Sequence, residues 1–340
     1  MPYLSTGSTI LNLALSGKAD GGIKDGKMFN LIGDSSAGKT LLAYTCLAEA
    51  ANNPEFNGYS LYYDDVECAD EFDIERLFGR KLSSRLIPPY PNQNESETIE
   101  GFYFNLNRLL KNNSPLIYVL DSMDALTSIS SREKFDENAA AFEKGNKTKG
   151  SYGDGKAKEN SQQLRNIGQT LDETHSILII LSQTRDDIAN PMASKTRAGG
   201  RALKFYASYE AWLKPGKRDT KKVNGIDRVI GGNTICDITK NKATGVRGKV
   251  EFPIHYTFGV NDADSMISYL LDEKRWKLEG SWITPVGIAD KKFHRGDLCS
   301  LIYKDHFKAT QQICEEVWMD VQRQLMEDQA LINLKYGDKA

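Results

Sequence analysis

The plainest chemistry in this 340-residue chain lies in one short run. Gly33-Asp34-Ser35-Ser36-Ala37-Gly38-Lys39-Thr40 fits G-x-x-x-x-G-K-[ST]. Such a loop needs glycines for a tight turn, backbone N–H groups aimed at phosphate oxygens (here from Ser35 to Thr40), a lysine for the β- and γ-phosphates, and a hydroxyl for Mg²⁺. Lys39 and Thr40 have the residue types for the last two roles, so ATP with Mg²⁺ is the implied cofactor pair. Asp121, followed by Ser122, ends a separate apolar run and suits a Walker B carboxylate that holds the metal through water. Hydrolysis also requires a group that orients or deprotonates the attacking water. Asp64-Asp65-Val66-Glu67 follows a third apolar run; Glu67 is the best candidate, with Asp65 and Asp64 as alternatives.

These groups must be carried by strands whose ends lie side by side. Met28–Ile32, Tyr59–Tyr63, Leu116–Leu120 and Ile177–Leu181 lack polar alternation, as strands covered on both faces do. Helical patterns such as Thr40–Ala51 and Asn160–Thr174 lie between them, which predicts an α/β, doubly wound, mostly parallel twisted sheet flanked by helices, with ligands at the carboxyl ends of the strands. Glu210–Leu213, Thr234–Lys240 and Lys249–Tyr256 alternate better, and the last two are joined by the turn-rich NKATGVRG, so an antiparallel extension is expected. From about residue 260 the pattern changes to a helical segment, a stretch with Trp276 and Trp282, and a final helix bearing Ile313, Val317, Val321 and Leu325. The chain thus divides into a core of residues 1–259 and a small α+β carboxyl-terminal domain of residues 260–340. The stretch 143–158, rich in Gly, Lys, Asn and Ser, reads as a mobile loop.

Composition limits the alternatives. An apolar content of 40% supports a sizeable core. Cys46, Cys68, Cys236, Cys299 and Cys314 are scattered and include no C-x-x-C pair, so neither a disulfide framework nor a zinc site is expected. The amino terminus has no secretory signature and no run of apolar residues could span a membrane, so a cytoplasmic protein is expected. The net charge of −2 excludes a uniformly basic nucleic-acid binder but hides three basic clusters. They are Lys144, Lys147, Lys149, Lys156 and Lys158; Lys214, Lys217, Arg218, Lys221 and Lys222; and Lys240, Lys242, Arg247 and Lys249.

Several separated motifs together resemble the RecA family of recombinases. They are Leu4-Ser5-Thr6-Gly7-Ser8, the phosphate loop, Asp65-Val66-Glu67, Asp121-Ser122, Ser182-Gln183, the run from Gly199 and Gly200 through Arg201 to Ser208, and Lys240-Asn241-Lys242. Gly280-Ser281-Trp282 and the final helix are similar to that family's carboxyl-terminal domain, and Ala14-Leu15-Ser16-Gly17 before Gly21-Gly22 is more like phage recombinases of the UvsX kind. The resemblance implies a RecA-like core, Glu67 as the catalytic carboxylate, and Gln183 as a γ-phosphate sensor. It also implies that Lys240 and Lys242 reach the ATP of an adjacent subunit, like an arginine finger. The motif set begins at Leu4, so the family's amino-terminal docking segment is expected to be lacking.

The same resemblance implies DNA contacts on two loops, at about 132–160 and 184–200. Ser161 and Arg165, beside the lysines Lys156 and Lys158, belong with the first; Arg185, Ile188, Gly199, Gly200 and Arg201 belong with the second. Arg and Ser suit phosphates, glycines permit close approach, and Ile188 could wedge between bases. The expected partners are single-stranded and also double-stranded DNA, and copies of the chain in a homo-oligomer or filament with ATP at the subunit interface; no membrane is expected. A DNA-dependent ATPase that pairs homologous DNA and exchanges strands is the leading reading. An accessory protein that uses ATP only as an assembly switch is the other.

Overall fold

The four apolar runs become strands in a parallel sheet: β1 (Met28–Gly33), β2 (Ser60–Asp65), β3 (Leu116–Asp121) and β4 (Ile177–Arg185). The computed structural model describes residues 2–68, 72–90, 96–112, 114–144, 154–185, 196–197 and 200–325, and only the backbone at 154–161, 185, 196–197 and 200–201. The sheet continues through β5 (Tyr209–Val223), β6 (Ile226–Asn241) and β7 (Gly248–His255). Among the described strands the order is Gly259–Val260, β7, β6, β5, β1, β4, β3, β2, Leu86–Ile87. Neighbours from β5 to Leu86–Ile87 are parallel, and β5, β6, β7 and Gly259–Val260 are antiparallel. Gly33 lies opposite both Gln183 and Leu213, and Asp65 lies opposite Asp121, so these residues end on one edge.

Strand alternation divides the core in two. Phe29, Leu31, Tyr63, Val119 and Ile179 face α1 (Thr9–Ser16) and α2 (Lys39–Asn52). Met28, Tyr62, Tyr118, Leu120 and Ile180 face α3 (Ile99–Leu110) and apolar residues further along the chain. Next come α4 (Ile129–Glu143), α5 (Asp154–Glu173) and α6 (Gly200–Tyr206). Leu164, Ile167 and Leu171 of α5 and Leu203 of α6 close the second core. A fully buried side chain of this size contributes about 1.5–3 kcal/mol, so both faces hold the sheet and neither is free for ligand. The carboxyl edge remains.

The sequence reads 143–158, within a loop of about 132–160, as irregular. Instead α4 runs to Glu143 and α5 starts at Asp154, so residues 132–143 and 154–160 are helical. Ala139-Ala140-Ala141 and the flanking Glu and Lys are strong helix formers, and Ser128 caps α4 by accepting from the Ser131 N–H. No described α4 residue is buried, so the apolar stripe that would reveal the helix is missing. The second correction concerns β5 and β6. Their expected ends at Leu213 and Thr234 fall short, because the strands continue as a ribbon through a turn at Asn224–Gly225, both with positive φ (54° and 80°), the backbone a type I′ hairpin needs.

Beyond β7, α7 (Asp262–Asp272) and α8 (Phe307–Leu325) pack with α1 in one apolar cluster that includes Trp276 and Ile313. Asp262 is buried and accepts from the Thr9 N–H (2.7 Å) and the Thr9 hydroxyl (2.6 Å), while Gln311 Nε2 donates to Thr9 Oγ1 (3.0 Å). Burial pushes the Asp262 carboxyl up to about 7, against the opposing effect of the Thr9 hydrogen bonds. The folded chain therefore retains a proton that the unfolded chain has released, and this group's contribution to stability falls as pH rises from about 4 to about 7. Asp262→Asn should remove that slope: relative to wild type, its melting temperature is expected to rise by several degrees between about pH 5 and about pH 8. A constant offset at both pH values would assign the slope to other groups.

Candidate nucleotide-binding site

At the end of β1 the chain enters the phosphate loop and leaves it through α2, whose N-cap is Gly38 at φ 90°. No side chain caps this helix, so its amino-terminal N–H groups and positive dipole end face the edge of the sheet. Lys39 is buried; its ammonium donates to the carbonyls of Gly33 (2.9 Å) and Asp34 (2.9 Å). Burial pulls it below its ordinary pKa, opposed by Asp121, Glu67, Asp34 and Asp124. A desolvated ammonium curled over its own loop gains the most from a polyphosphate placed there. The Asp34 carboxylate accepts from the Thr184 hydroxyl, which ties the loop to the end of β4.

Asp121 joins this loop to the other strand ends. Its Oδ2 accepts from Thr40 Oγ1 (2.7 Å) and from the Tyr63 hydroxyl (2.7 Å), whose ring stacks on Tyr44 of α2 at 4.0 Å. Burial raises the Asp121 pKa, opposed by these hydrogen bonds from Tyr63 and Thr40. A hydroxyl and a carboxylate in contact are the donor set expected for Mg²⁺ coordinated partly through water. The Asp121 carbonyl accepts from the N–H groups of Val66 (2.7 Å) and Glu67 (3.3 Å), so the turn after β2 is held on the end of β3.

That turn aims Glu67 into the site. Glu67 Oε1 accepts from the Ser122 hydroxyl and from Gln183 Nε2 (2.8 Å), while the Gln183 N–H donates to Asp124 (2.6 Å). Asp64 points the other way. It is fully buried and accepts from Ser96 N (2.7 Å), Ser96 Oγ (2.6 Å) and the Tyr118 hydroxyl (2.6 Å) on the opposite face of the sheet. One alternation along β2 therefore separates Asp64, a structural anchor, from Asp65, which borders the same cavity as Glu67.

The cavity has a volume of about 800 Å³ and runs from Ser35, Lys39 and Thr40 past Asp65, Glu67 and Asp121 to the ribbon. Sequence reasoning missed the wall formed by Arg218, Gly232, Thr234 and Tyr256. Its only signal is the glycine pair Gly231–Gly232, which meant nothing until the ribbon's length was known. Lys240 and Lys242 do not border this cavity. Lys240 Nζ donates to the carbonyls of Lys204 and Phe205 (2.9 Å to Phe205), and Lys242 Nζ donates to Phe205 (3.3 Å), at the carboxyl end of α6. Among the expected DNA-contacting residues, Arg165 is exposed and donates from Nε to the Tyr206 hydroxyl (3.4 Å). Lys156, Lys158 and Ser161 lie on the backbone of α5, Arg185 ends β4, and Gly200 and Arg201 open α6; their side chains, and Ile188 and Gly199 altogether, lie outside the described residues.

A glycine-rich loop between a buried parallel strand and an uncapped helix, on a doubly wound sheet, defines the class of P-loop proteins with a RecA-like core. The family model for the RecA N-terminal domain matches residues 1–261, and the chain belongs to the RecA family. It is 26% identical to Protein RecA of Clostridium beijerinckii over 335 residues, covering 96% of this chain and 80% of that protein. It is 28% identical to Protein RecA of Bacteroides thetaiotaomicron over 319 residues, covering 91% and 85%.

Two substitutions separate binding from chemistry at this site. Lys39→Ala should lose nucleotide in a fluorescence titration, because it removes the buried cation expected to meet the terminal phosphates. Glu67→Gln should bind as well as wild type yet turn over about 10²–10⁴-fold more slowly, the range for loss of a general base. Undiminished turnover in Glu67→Gln would move the role to Asp65.

Proposed function

We propose that this chain is an ATP-dependent recombinase that assembles on single-stranded DNA, takes up double-stranded DNA, and promotes homologous pairing and strand exchange. The observation that carries the reading is the Glu67–Gln183 hydrogen bond at 2.8 Å. It joins the carboxylate best placed to handle water to the strand that leads into the segment at 184–200, so one contact can report nucleotide state to a DNA-binding element. The proteins named Protein RecA, similar over most of the chain, support the same reading.

In this mechanism the phosphate-loop N–H groups and Lys39 orient the triphosphate, and Glu67 accepts the proton of the attacking water. Thr40, and Asp121 through water, would hold Mg²⁺, which would supply positive charge to the phosphates. Gln183 is neutral and can exchange its bond to Glu67 for one to the γ-phosphate or to water without adding charge. Lys240 and Lys242, at the end of β6, donate to the carboxyl end of α6 outside their own subunit's cavity, which supports a role on the ATP of a neighbouring subunit, where cations stabilise transition-state charge only after docking. Sequence-independent contacts from Lys156, Lys158, Ser161, Arg165, Arg185, Ile188, Gly199, Gly200 and Arg201 to single-stranded DNA belong to the same reading. So do the division of the chain near residue 260 and a site of action in the cytoplasm of a bacterium or a phage's host.

The test is DNA-stimulated ATP hydrolysis with light scattering for assembly. Replacing both Lys240 and Lys242 with Ala should leave nucleotide binding intact and abolish the stimulation by DNA. Mixing that protein with Glu67→Gln should restore activity, because a mixed interface pairs an intact Glu67 with intact lysines. Hydrolysis that is independent of protein concentration and DNA, with no complementation, would replace the recombinase reading with that of an accessory protein.

A further inference from the structure

Helix α4 has no task in the site above. It runs for 15 residues and buries none of them. A helix of that length is marginal in water by itself, so one that gains little from its own core is stabilised by whatever covers it. Its first turn is tied to the neighbourhood of α3: the Ile129 N–H donates to Glu100 (3.0 Å), and Arg132 pairs with Glu97. Further along, Phe135 and Phe142 are 71% and 78% exposed. Seven residues apart, these two rings lie on the same side of the helix, and Asp136 and Glu143 follow them with the same spacing. None of the residues assigned to DNA lies on α4.

The fold also holds a groove of matching character. A second cavity, of about 910 Å³, lies where β5 and β6 meet the carboxyl end of α6. Phe205, 67% exposed, gives it an apolar wall with Trp212 and Pro215. The Trp212 Nε1–H is already donated to buried Glu210 (3.2 Å), which also accepts from Thr239 (2.9 Å). The exposed charges of the groove are basic, namely Lys204, Lys214 and Arg247, whereas its acids are buried or half-buried. No ion pair among the described residues engages those three cations. Lys240 borders the same groove. In the assembly read above, Lys240 reaches the ATP of the next copy and so arrives near that copy's Asp121. Helix α4 starts only a few residues after Asp121 and extends about 22 Å at 1.5 Å per residue, so the neighbour's α4 and this groove come to one interface.

We propose that α4 of one copy docks in this groove of the next, with Phe135 and Phe142 against Phe205, Trp212 and Pro215, and with Asp136 and Glu143 toward Lys204, Lys214 and Arg247. This is the helix-in-groove mode, in which aromatic anchors fill an apolar pocket and charges meet at the rim. Helix and groove are different surfaces, so the contact runs head to tail. Each added copy leaves a helix open at one end and a groove at the other, and the contact propagates as a ring or an open filament. The proposal rests on the reading of the chain as an assembling ATPase and adds to it the surfaces that meet.

The experiment uses the full chain with Mg²⁺ and a non-hydrolysable ATP analogue, and reads assembly by sedimentation velocity over a concentration series, with and without oligo(dT). Phe135→Ser with Phe142→Ser should raise the concentration needed for assembly about thirtyfold, the loss of one hot spot, with nucleotide affinity unchanged. Asp136→Lys with Glu143→Lys should weaken assembly about tenfold, and so should Lys214→Glu with Arg247→Glu in a separate protein. Mixing those two proteins should restore assembly, because the reversed helix then meets the reversed groove while the unaltered helix and groove still pair. A mixture that fails to assemble overturns the proposal. Loss of oligo(dT) affinity in the phenylalanine variant, with DNA-free assembly unchanged, also overturns it, since bases would then be the partner of the two rings. If the unaltered protein assembles and the phenylalanine variant does so equally well, the helix contact is wrong and the parent reading stands; if the unaltered protein stays a monomer with nucleotide and DNA, both fall.

Discussion

The register of the parallel strands is the constraint on which the rest depends. Because Gly33 stands level with Gln183 and Asp65 with Asp121, the phosphate loop, the metal-type carboxylate, the turn bearing Glu67 and the sensor-type amide emerge on one edge. A slip by one residue in β2 alone would exchange Asp64 for Asp65 and aim Tyr63 away from Asp121. The buried Asp64 network opposes that slip. Three hydrogen bonds to a carboxylate, each worth about 1.5–3 kcal/mol, hold the opposite face of the same strand and would be left unmade in any other register.

From that register the site is built by shared partners. Thr40 and Tyr63 meet on one oxygen of Asp121, and Ser122 and Gln183 meet on one oxygen of Glu67. Few of these groups can move without disturbing a second strand. The same sharing links both halves of the proposed cycle: Asp34 in the phosphate loop is bonded to Thr184, the residue after Gln183. A change at the phosphates thus has two short routes to the end of β4.

What could be read from the sequence had a local cause. Four continuous apolar runs gave the central strands to within a few residues, and the spacing of Gly33, Gly38, Lys39 and Thr40 is a local pattern that needs no tertiary knowledge. What could not be read depends on distant partners or lacks an apolar signature. Helix α4 buries no side chain and does not gather its few apolar residues into a stripe, so periodicity is silent there. The ribbon passes through Pro215–Gly216 and two bulge-like register shifts, each of which reads as a break. Asp64 and Asp65 differ only by the strand face they occupy, and this became plain once Ser96 and Tyr118 were seen around Asp64. Lys240, at the end of β6, and Lys242, just beyond it, bond to main-chain carbonyls at α6's carboxyl end, about 35 residues earlier in the chain, a contact no pattern announces.

Strand β1 also sets an order on the birth of the molecule. It is buried along its whole length, and its two neighbours are β4 and β5, which start at Ile177 and Tyr209. At roughly 5–20 residues per second, a ribosome delivers those neighbours on the order of ten seconds or more after Met28. During that interval Met-Phe-Asn-Leu-Ile has unsatisfied edges on both sides, the condition that favours adhesion to other nascent chains. The strand that anchors the phosphate loop is thus among the first to be made and, of the parallel strands, the one that waits longest for its neighbours.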